Sequence, residues 1–178
     1  MLDCIESICF SEEEIADIVK KLGEEITKDY DGKNPLVIGL LKGCIPFMSD
    51  LFKNIDTEIT LGYMKVSSYK GTESTGTIKI DGSIPDVKGR HVILVDDILD
   101  TGRTLNAIKN VFMDNGALSV EVCVLLDKPE GRKVNVVPKY CGGKVPNAFV
   151  VGYGLDYDEH YRNLPYIGVL DEKVYEGR

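Results

Sequence analysis

Three aspartates and two threonines lie close together directly after an apolar run. The run is HVILV at residues 91–95, and residues 96–104 read DDILDTGRT. Carboxylate oxygens accept hydrogen bonds from hydroxyl groups, and they are hard ligands of the kind that Mg²⁺ prefers. Asp96 and Asp97 are therefore candidates for binding vicinal hydroxyls or a magnesium ion with its water shell.

The second half of this segment has the composition of a phosphate-binding site. Thr101 and Thr104 supply hydroxyls, Gly102 allows a close approach of the backbone, and Arg103 adds positive charge. The free N–H groups and the positive dipole end at the start of a helix bind anions. The alternative is plain helix capping, which an isolated Asp-Thr-Gly would favour. The whole segment 92–104 favours a binding site.

The elements around this segment alternate between strand and helix. Strands are predicted at 35–41, 58–66, 91–95, 120–126, 149–152 and 166–170. Helices are predicted from a capping box at Ser11 to about Lys28, at 46–53, and through Leu105, Ile108 and Phe112 to a stop at Asn115-Gly116. The pattern predicts an α/β domain with a mainly parallel sheet, in which ligands bind at the carboxyl ends of the strands.

Two polar segments interrupt the alternation. Residues 67–77 read SSYKGTESTGT, which predicts an exposed loop whose backbone can move, with a surface hairpin as the alternative. Residues 129–146 are rich in Gly, Pro and Lys and are expected to form a long connection.

Composition restricts the class of protein. With 178 residues, of which 43% are hydrophobic, we expect a single domain over residues 1–178. The net charge of −8 argues against binding to nucleic acid. No apolar run is long enough to span a bilayer and the N-terminus is acidic, so we expect a cytoplasmic protein without a membrane partner. The five cysteines are odd in number and contain no C-x-x-C pair, which disfavours disulfides and a zinc site.

Residues 92–104 resemble the phosphoribosyl pyrophosphate motif of the type I phosphoribosyltransferases. Six further segments resemble the hypoxanthine-guanine branch of that family, namely LKG at 41–43, SY at 68–69, LDK at 126–128, FVVGY at 149–153, LDY at 155–157 and YRNL at 161–164. The resemblance covers nearly the entire chain in order. It implies the type I phosphoribosyltransferase fold, which is α/β with a mainly parallel sheet flanked by helices and a small hood built from the chain termini.

The resemblance also implies an activity. The family branch transfers the 5-phosphoribosyl group from phosphoribosyl pyrophosphate to hypoxanthine or guanine, with Mg²⁺ as cofactor, and forms IMP or GMP and pyrophosphate. A homodimer or homotetramer is implied in the same way.

The family's binding residues carry over to matching positions in this chain. The phosphoribosyl group would be bound by Asp96, Asp97, Asp100, Thr101, Gly102, Arg103 and Thr104, and the pyrophosphate by Lys42, Gly43 and Arg162. The metal would be bound by Asp96, Asp97 and Asp156, and a mobile loop would contain Ser68 and Tyr69. The family often has a strained peptide bond at the position of Leu41-Lys42. Without the resemblance, Lys42 would be interpreted as a solvated lysine and Arg162 as part of a surface salt bridge.

The purine would be bound by four residues, also by resemblance. Lys128 would donate to the 6-oxo group, Phe149 would stack on the base, the backbone of Val150 would read its edge, and Asp156 would lie beside the 2-position. Asp100 would be the catalytic acid-base group at N7. Considered by itself, Phe149 is better explained as a core residue of a buried strand.

Three positions depart from the family pattern. Asp96 stands where many members have Glu, which leaves open whether it contacts the metal directly or through water. Ala148 stands where some relatives have lysine, and Cys44 where Gly or Ala is common.

Three other functions stay open. A sister enzyme that prefers xanthine would differ in geometry near Asp156, which sequence does not reveal. A regulatory homologue that controls gene expression would need a basic face or a DNA-binding domain. A nucleotide-binding module without turnover would have no use for Asp100, Lys42 and Arg162 together.

Overall fold

Strands and helices alternate along most of the chain in the computed structural model, which describes residues 4–68 and 78–175. The helices of this part are α1 (Glu12–Tyr30), α2 (Ile45–Lys53) and α3 (Arg103–Asp114). The strands are β1 (Ile5–Phe10), β2 (Leu36–Leu41), β3 (Thr60–Ser68), β4 (Ile78–Asp81), β5 (His91–Leu99), β6 (Ser119–Asp127), β7 (Tyr140–Lys144), β8 (Val150–Val151) and β9 (Ile167–Leu170).

The main sheet has the order β4-β3-β2-β5-β6-β7. All of its neighbours pair in parallel except β3 and β4, which pair antiparallel. Leu36 at the start of β2 pairs with Thr60 on one side and Val92 on the other, so three strands begin in register. The predicted α/β fold with a mainly parallel sheet is confirmed.

Alternate residues of the central strands enter two different cores. Val37 and Ile93 pack on one face with α1 and α2, whereas Ile38 and Leu94 pack on the other face with α3. Because both faces are covered, these strands are apolar at every position, as is typical of parallel sheets.

Helix α1 begins at the predicted capping box. The N–H of Glu14 donates to Oγ of Ser11 over 3.2 Å, and the N–H of Ser11 donates to Oε2 of Glu14 over 2.8 Å. The helix continues to Tyr30, two residues beyond the expected end, because Tyr30 is itself buried against the core. Among the described residues, no helix has the length and apolar composition needed to cross a membrane.

A second, antiparallel sheet has the order β1-β9-β8. It joins the N-terminal strand to two strands near the C-terminus and buries Val151, Leu164 and Leu170. This sheet is the hood that the resemblance implied.

Three strands were not predicted. Strand β7 lies inside the expected connection 129–146, and β1 and β4 lie in segments to which no strand was assigned. All three are edge strands, which have one neighbour each. In β7 two glycines replace side chains because there is no room for them: a Cβ atom on Gly143 would come within 2.6 Å of Cζ of Phe10.

Candidate active site

The carboxyl ends of β2, β5 and β6 meet at one edge of the main sheet. Because these neighbouring strands are parallel, Lys42, the aspartates of residues 96–100, and Lys128 all emerge at that edge. The hood then places Phe149 and Asp156 against the same edge, where they line a common cavity with Asp100.

Strand β5 continues to Leu99, four residues past its predicted end. Asp96 and Asp97 therefore lie within the strand, and they are only partly exposed. The N–H of Asp97 donates to Oδ1 of Asp96 over 3.1 Å, and the N–H of Ile98 donates to Oδ1 of Asp97 over 2.8 Å. Burial raises the pKa of both carboxyls, and the charge of Asp97 raises the pKa of Asp96 further. The pair is therefore suited to meet a cation or hydroxyl donors.

The turn at Lys42-Gly43 is packed between Asp97 and the hood. The peptide bond Leu41–Lys42 is cis, as the resemblance implied. A Cβ atom on Gly43 would overlap Oδ2 of Asp97, and one on Gly154 would overlap the carbonyl oxygen of Gly43. Only glycine fits at these two positions, so the backbone of Gly43 is held directly against the Asp97 carboxylate.

A small cavity of about 130 Å³ lies at the start of α3. Its lining includes most of the predicted phosphoribosyl-binding residues, namely Asp96, Asp100, Thr101, Gly102 and Thr104. Gly102 has a φ of 76°, a left-handed conformation that favours glycine, and it directly precedes the helix. Arg103 is exposed at the first position of α3 and is not part of this lining.

A second cavity of about 210 Å³ adjoins the first. The four predicted purine-binding residues line it together with five residues that were unpredicted or assigned another role. The full set is Asp97, Ile98, Asp100, Lys128, Ala148, Phe149, Val150, Leu155 and Asp156. Nζ of Lys128 donates to the carbonyl oxygen of Ala148 over 3.1 Å, which directs the ammonium group along the cavity wall.

Phe149 is not a core residue. Its side chain is 40% exposed. Its ring forms a T-shaped contact with Tyr157 at a centroid distance of 5.3 Å and lies tilted against Tyr175 at 5.7 Å. Tyr157 and Tyr175 therefore hold the Phe149 ring in place, and part of the ring surface faces the cavity.

Two residues that the sequence did not single out support Asp100. A Cβ atom on Gly131 would overlap Oδ1 of Asp100, so the backbone of Gly131 lies against the carboxylate. Nε of Arg132 donates to the carbonyl oxygen of Asp100 over 3.0 Å. The guanidinium also donates to the carbonyl oxygens of Leu99 and Val136 and pairs with Asp127. The only sequence signal was the position of this turn directly after Lys128.

The two cationic side chains among the predicted pyrophosphate ligands, Lys42 and Arg162, converge on one carboxylate. Nζ of Lys42 lies 3.1 Å and Nη2 of Arg162 lies 3.3 Å from Oε2 of Glu159. These cations hold the pKa of the Glu159 carboxyl below its usual range. Arg162 also pairs with Oδ1 of Asp156 at 2.8 Å and donates to the carbonyl oxygen of Gly154 over 2.7 Å. Arg162 therefore does more than form a surface salt bridge, and the Asp156 carboxylate is held in an ion pair with it.

The predicted mobile loop lies mostly outside the described residues. Ser68 is the last residue of β3, whereas Tyr69 and residues 70–77 are not among those that the structure describes. The role of Ser68 and Tyr69 stays a prediction.

Known proteins resemble this chain over nearly its full length. The family model of the phosphoribosyl transferase domain matches residues 10–158. The hypoxanthine-guanine phosphoribosyltransferase of Streptococcus pneumoniae (strain ATCC BAA-255 / R6) is 54% identical over 173 residues, which cover 96% of this chain and 96% of that protein. The protein of the same name from Lactococcus lactis subsp. lactis (strain IL1403) is 52% identical and covers 96% and 94%.

A solved structure agrees with these relatives. The hypoxanthine phosphoribosyltransferase of Staphylococcus aureus superposes with a TM-score of 0.94 at 47% identity, over 98% of this chain and 96% of that one. With the strand-end carboxylates, the adjoining cavities and the family model in agreement, the chain belongs to the phosphoribosyltransferase family.

Proposed function

We propose that the chain is a purine salvage enzyme that transfers the 5-phosphoribosyl group of phosphoribosyl pyrophosphate to hypoxanthine or guanine. The products are IMP or GMP and pyrophosphate. One observation carries the proposal: Ile98 and Asp100 line both the larger cavity and the phosphate-sized one. A base in the first and a phosphoribosyl group in the second would meet at Asp100. The two relatives above are named for this same reaction.

Hydrogen-bonding groups and one aromatic ring orient the purine base. The ammonium group of Lys128 only donates hydrogen bonds, so it matches the 6-oxo acceptor of hypoxanthine and guanine and opposes the 6-amino donor of adenine. Phe149 stacks on the base, the backbone of Val150 contacts its edge, and Asp156 lies near the 2-position. These four residues give the specificity.

The reaction moves one proton and separates charge. Asp100 takes the proton from N7 of the purine as the new bond to C1 of the ribose forms. The carboxylates of Asp96 and Asp97 bind the ribose hydroxyls and lie near the positive charge that develops on the sugar. Lys42, the backbone of Gly43 and Arg162 bind the departing pyrophosphate.

Magnesium fits the oxygen-rich donor set of this edge. Among the described residues, no three His, Cys, Asp or Glu side chains converge closely enough to hold a metal by themselves. Mg²⁺ is usually held by one or two carboxylates together with water and substrate oxygens, so Asp96, Asp97 and Asp156 suit it as partial ligands. When bound, the ion neutralises charge on the leaving group.

A spectrophotometric assay tests the proposal. Purified protein is given phosphoribosyl pyrophosphate and magnesium with hypoxanthine, guanine, xanthine or adenine, and EDTA is the control. We expect IMP and GMP to form, adenine to be inert, and EDTA to abolish turnover. Preference for xanthine would indicate the sister enzyme. Binding without product from all four bases would contradict the proposal and favour the regulatory homologue.

We further propose that residues 1–178 act as a single domain, in the cytoplasm, as a homodimer or homotetramer. Sedimentation equilibrium of the purified chain measures the assembly, and a monomer at assay concentration would contradict that part.

A further inference from the structure

A carboxylate of the chain itself lies between the two cations that we assign to the pyrophosphate. The same oxygen atom, Oε2 of Glu159, contacts both Nζ of Lys42 and Nη2 of Arg162. Carboxylate and phosphate oxygens are equivalent acceptors for lysine and arginine. Glu159 therefore engages these two cations in the way that a pyrophosphate oxygen would.

The backbone of Glu159 is held in a tight turn. Tyr157 and His160 exchange two backbone hydrogen bonds, of 3.2 and 3.0 Å, across Asp158 and Glu159. These two central residues have φ values of 51° and 65°. Positive φ at both positions is typical of a type I′ turn, which favours glycine and asparagine. Oδ2 of Asp156 accepts a further hydrogen bond of 2.9 Å from the N–H of Glu159.

The side chain of Glu159, in contrast, is free to turn away. It is 63% exposed, whereas the side chain of Arg162 is only 26% exposed. Arg162 is also anchored by the carbonyl oxygen of Gly154 and by the Asp156 carboxylate. An anion that reaches Arg162 would displace Glu159 by side-chain rotation alone, while the arginine stays in place.

We infer that Glu159 competes with the pyrophosphate group for Lys42 and Arg162, and thereby sets the affinity of the site for pyrophosphate and for the pyrophosphate end of the substrate. The inference rests on the proposed function. It adds an affinity-determining residue that acts against binding. With Glu159 in place, Lys42 and Arg162 face the two carboxylates of Glu159 and Asp156. Without Glu159, one of these two positive charges has no opposing carboxylate.

The expected effect follows from competition. The apparent dissociation constant equals the intrinsic one divided by the fraction of time that the site is not occupied by its own carboxylate. Two partly exposed ion pairs of this kind shift binding by about threefold to tenfold.

The test is calorimetric titration of the whole protein with magnesium pyrophosphate. Glu159→Gln and Glu159→Gly both remove the carboxylate, and the glycine also suits the positive φ. We expect both variants to bind pyrophosphate about threefold to tenfold more tightly than the wild type. Glu24→Gln on the exposed side of α1 changes the net charge equally and should leave the affinity unchanged.

The sign of the effect decides between two roles. If Glu159 instead held Lys42 and Arg162 in position for the substrate, Glu159→Gln would weaken binding. Weaker or unchanged binding in both variants overturns the inference. The assay with hypoxanthine is run in parallel: a wild type that forms IMP while the variants bind pyrophosphate no more tightly leaves the proposed function intact. An inactive wild type whose variants bind pyrophosphate more tightly would contradict the proposed function and leave the inference about Glu159 intact.

Discussion

Replacing Arg132 should destabilise the segment at the end of β5 that positions Asp100. In the wild type, one short segment bonds three successive carbonyl groups at the end of β5. The N–H of Lys128 donates to Leu99, Nε of Arg132 donates to Asp100, and the N–H of Lys133 donates to Thr101, each over 3.0 Å. Arg132→Gln removes the middle bond and the charge that faces Asp127.

The magnitude follows from burial. The side chains of Arg132 and Asp127 are 19% and 13% exposed, so the pair is largely removed from water. Removing one partner of such a pair costs about 3–5 kcal/mol, because the other charge is left uncompensated. Proteins of this kind are stable by about 5–15 kcal/mol, so Arg132→Gln should still fold. A shift of Asp100 by about 1 Å would lower turnover by about a hundredfold.

Two measurements check this prediction. Urea unfolding gives the loss of stability, and steady-state kinetics with hypoxanthine give kcat and the KM for phosphoribosyl pyrophosphate. We expect a large fall in kcat with a smaller change in that KM. Arg132→Lys keeps the charge but loses the planar fork, and should recover only part of both losses.

A double variant separates the ion pair from the backbone bonds. Asp127→Asn in the Arg132→Gln background removes the uncompensated carboxylate, so the double variant should be less destabilised than the sum of the single ones. Neutral surface substitutions change the free energy of unfolding by no more than about 0.5 kcal/mol. If Arg132→Gln changes it by no more than that and keeps the wild-type kcat, the proposed role of Arg132 in supporting Asp100 is wrong.

Three further predictions concern single residues. Asp100→Asn should lower kcat by about 10²- to 10⁴-fold with IMP binding retained, as measured by kinetics and calorimetry; unchanged turnover would remove Asp100 from the chemistry. Lys128→Ala should lower kcat/KM for hypoxanthine by about tenfold to a hundredfold while phosphoribosyl pyrophosphate binds as before, and equal losses for both ligands would mean a structural role. Asp29→Asn should destabilise the fold at neutral pH, because Tyr140 and Lys139 hold the pKa of Asp29 below its usual range. That stabilisation is present above the unfolded pKa of about 3.9 and is lost as the pH falls through the lower folded pKa, so urea unfolding should show the gap to the wild type closing towards pH 3.

The centre of the fold could be predicted from local sequence. Strand β2 and the first half of β5 are continuously apolar, and α1 has its cap and its apolar spacing in the same segment. Such signals are local, because burial on both faces or on one helix face determines each residue type. The edge strand β7 lacks them. It contains two glycines because Phe10 and Leu125 pack against it, and neither neighbour is near in sequence.

The site shows the same division. The strand-end aspartates and the helix start were predictable, because one short segment contains both. The proximity of Lys128 to Phe149 and Asp156 could be predicted only from the family resemblance, since these residues lie in separate elements. Glu159 and Arg132 were missed, because their roles depend on contacts across the fold that no spacing encodes.

The most direct measurement is a crystal structure of the protein with IMP and magnesium. We expect the 5′-phosphate at Thr101–Thr104, the base beside Phe149, and the 6-oxo group within hydrogen-bond distance of Nζ of Lys128. N7 should face the carboxylate of Asp100. A nucleotide bound with its base outside this cavity, or with its phosphate away from the start of α3, would contradict the proposed function of this site.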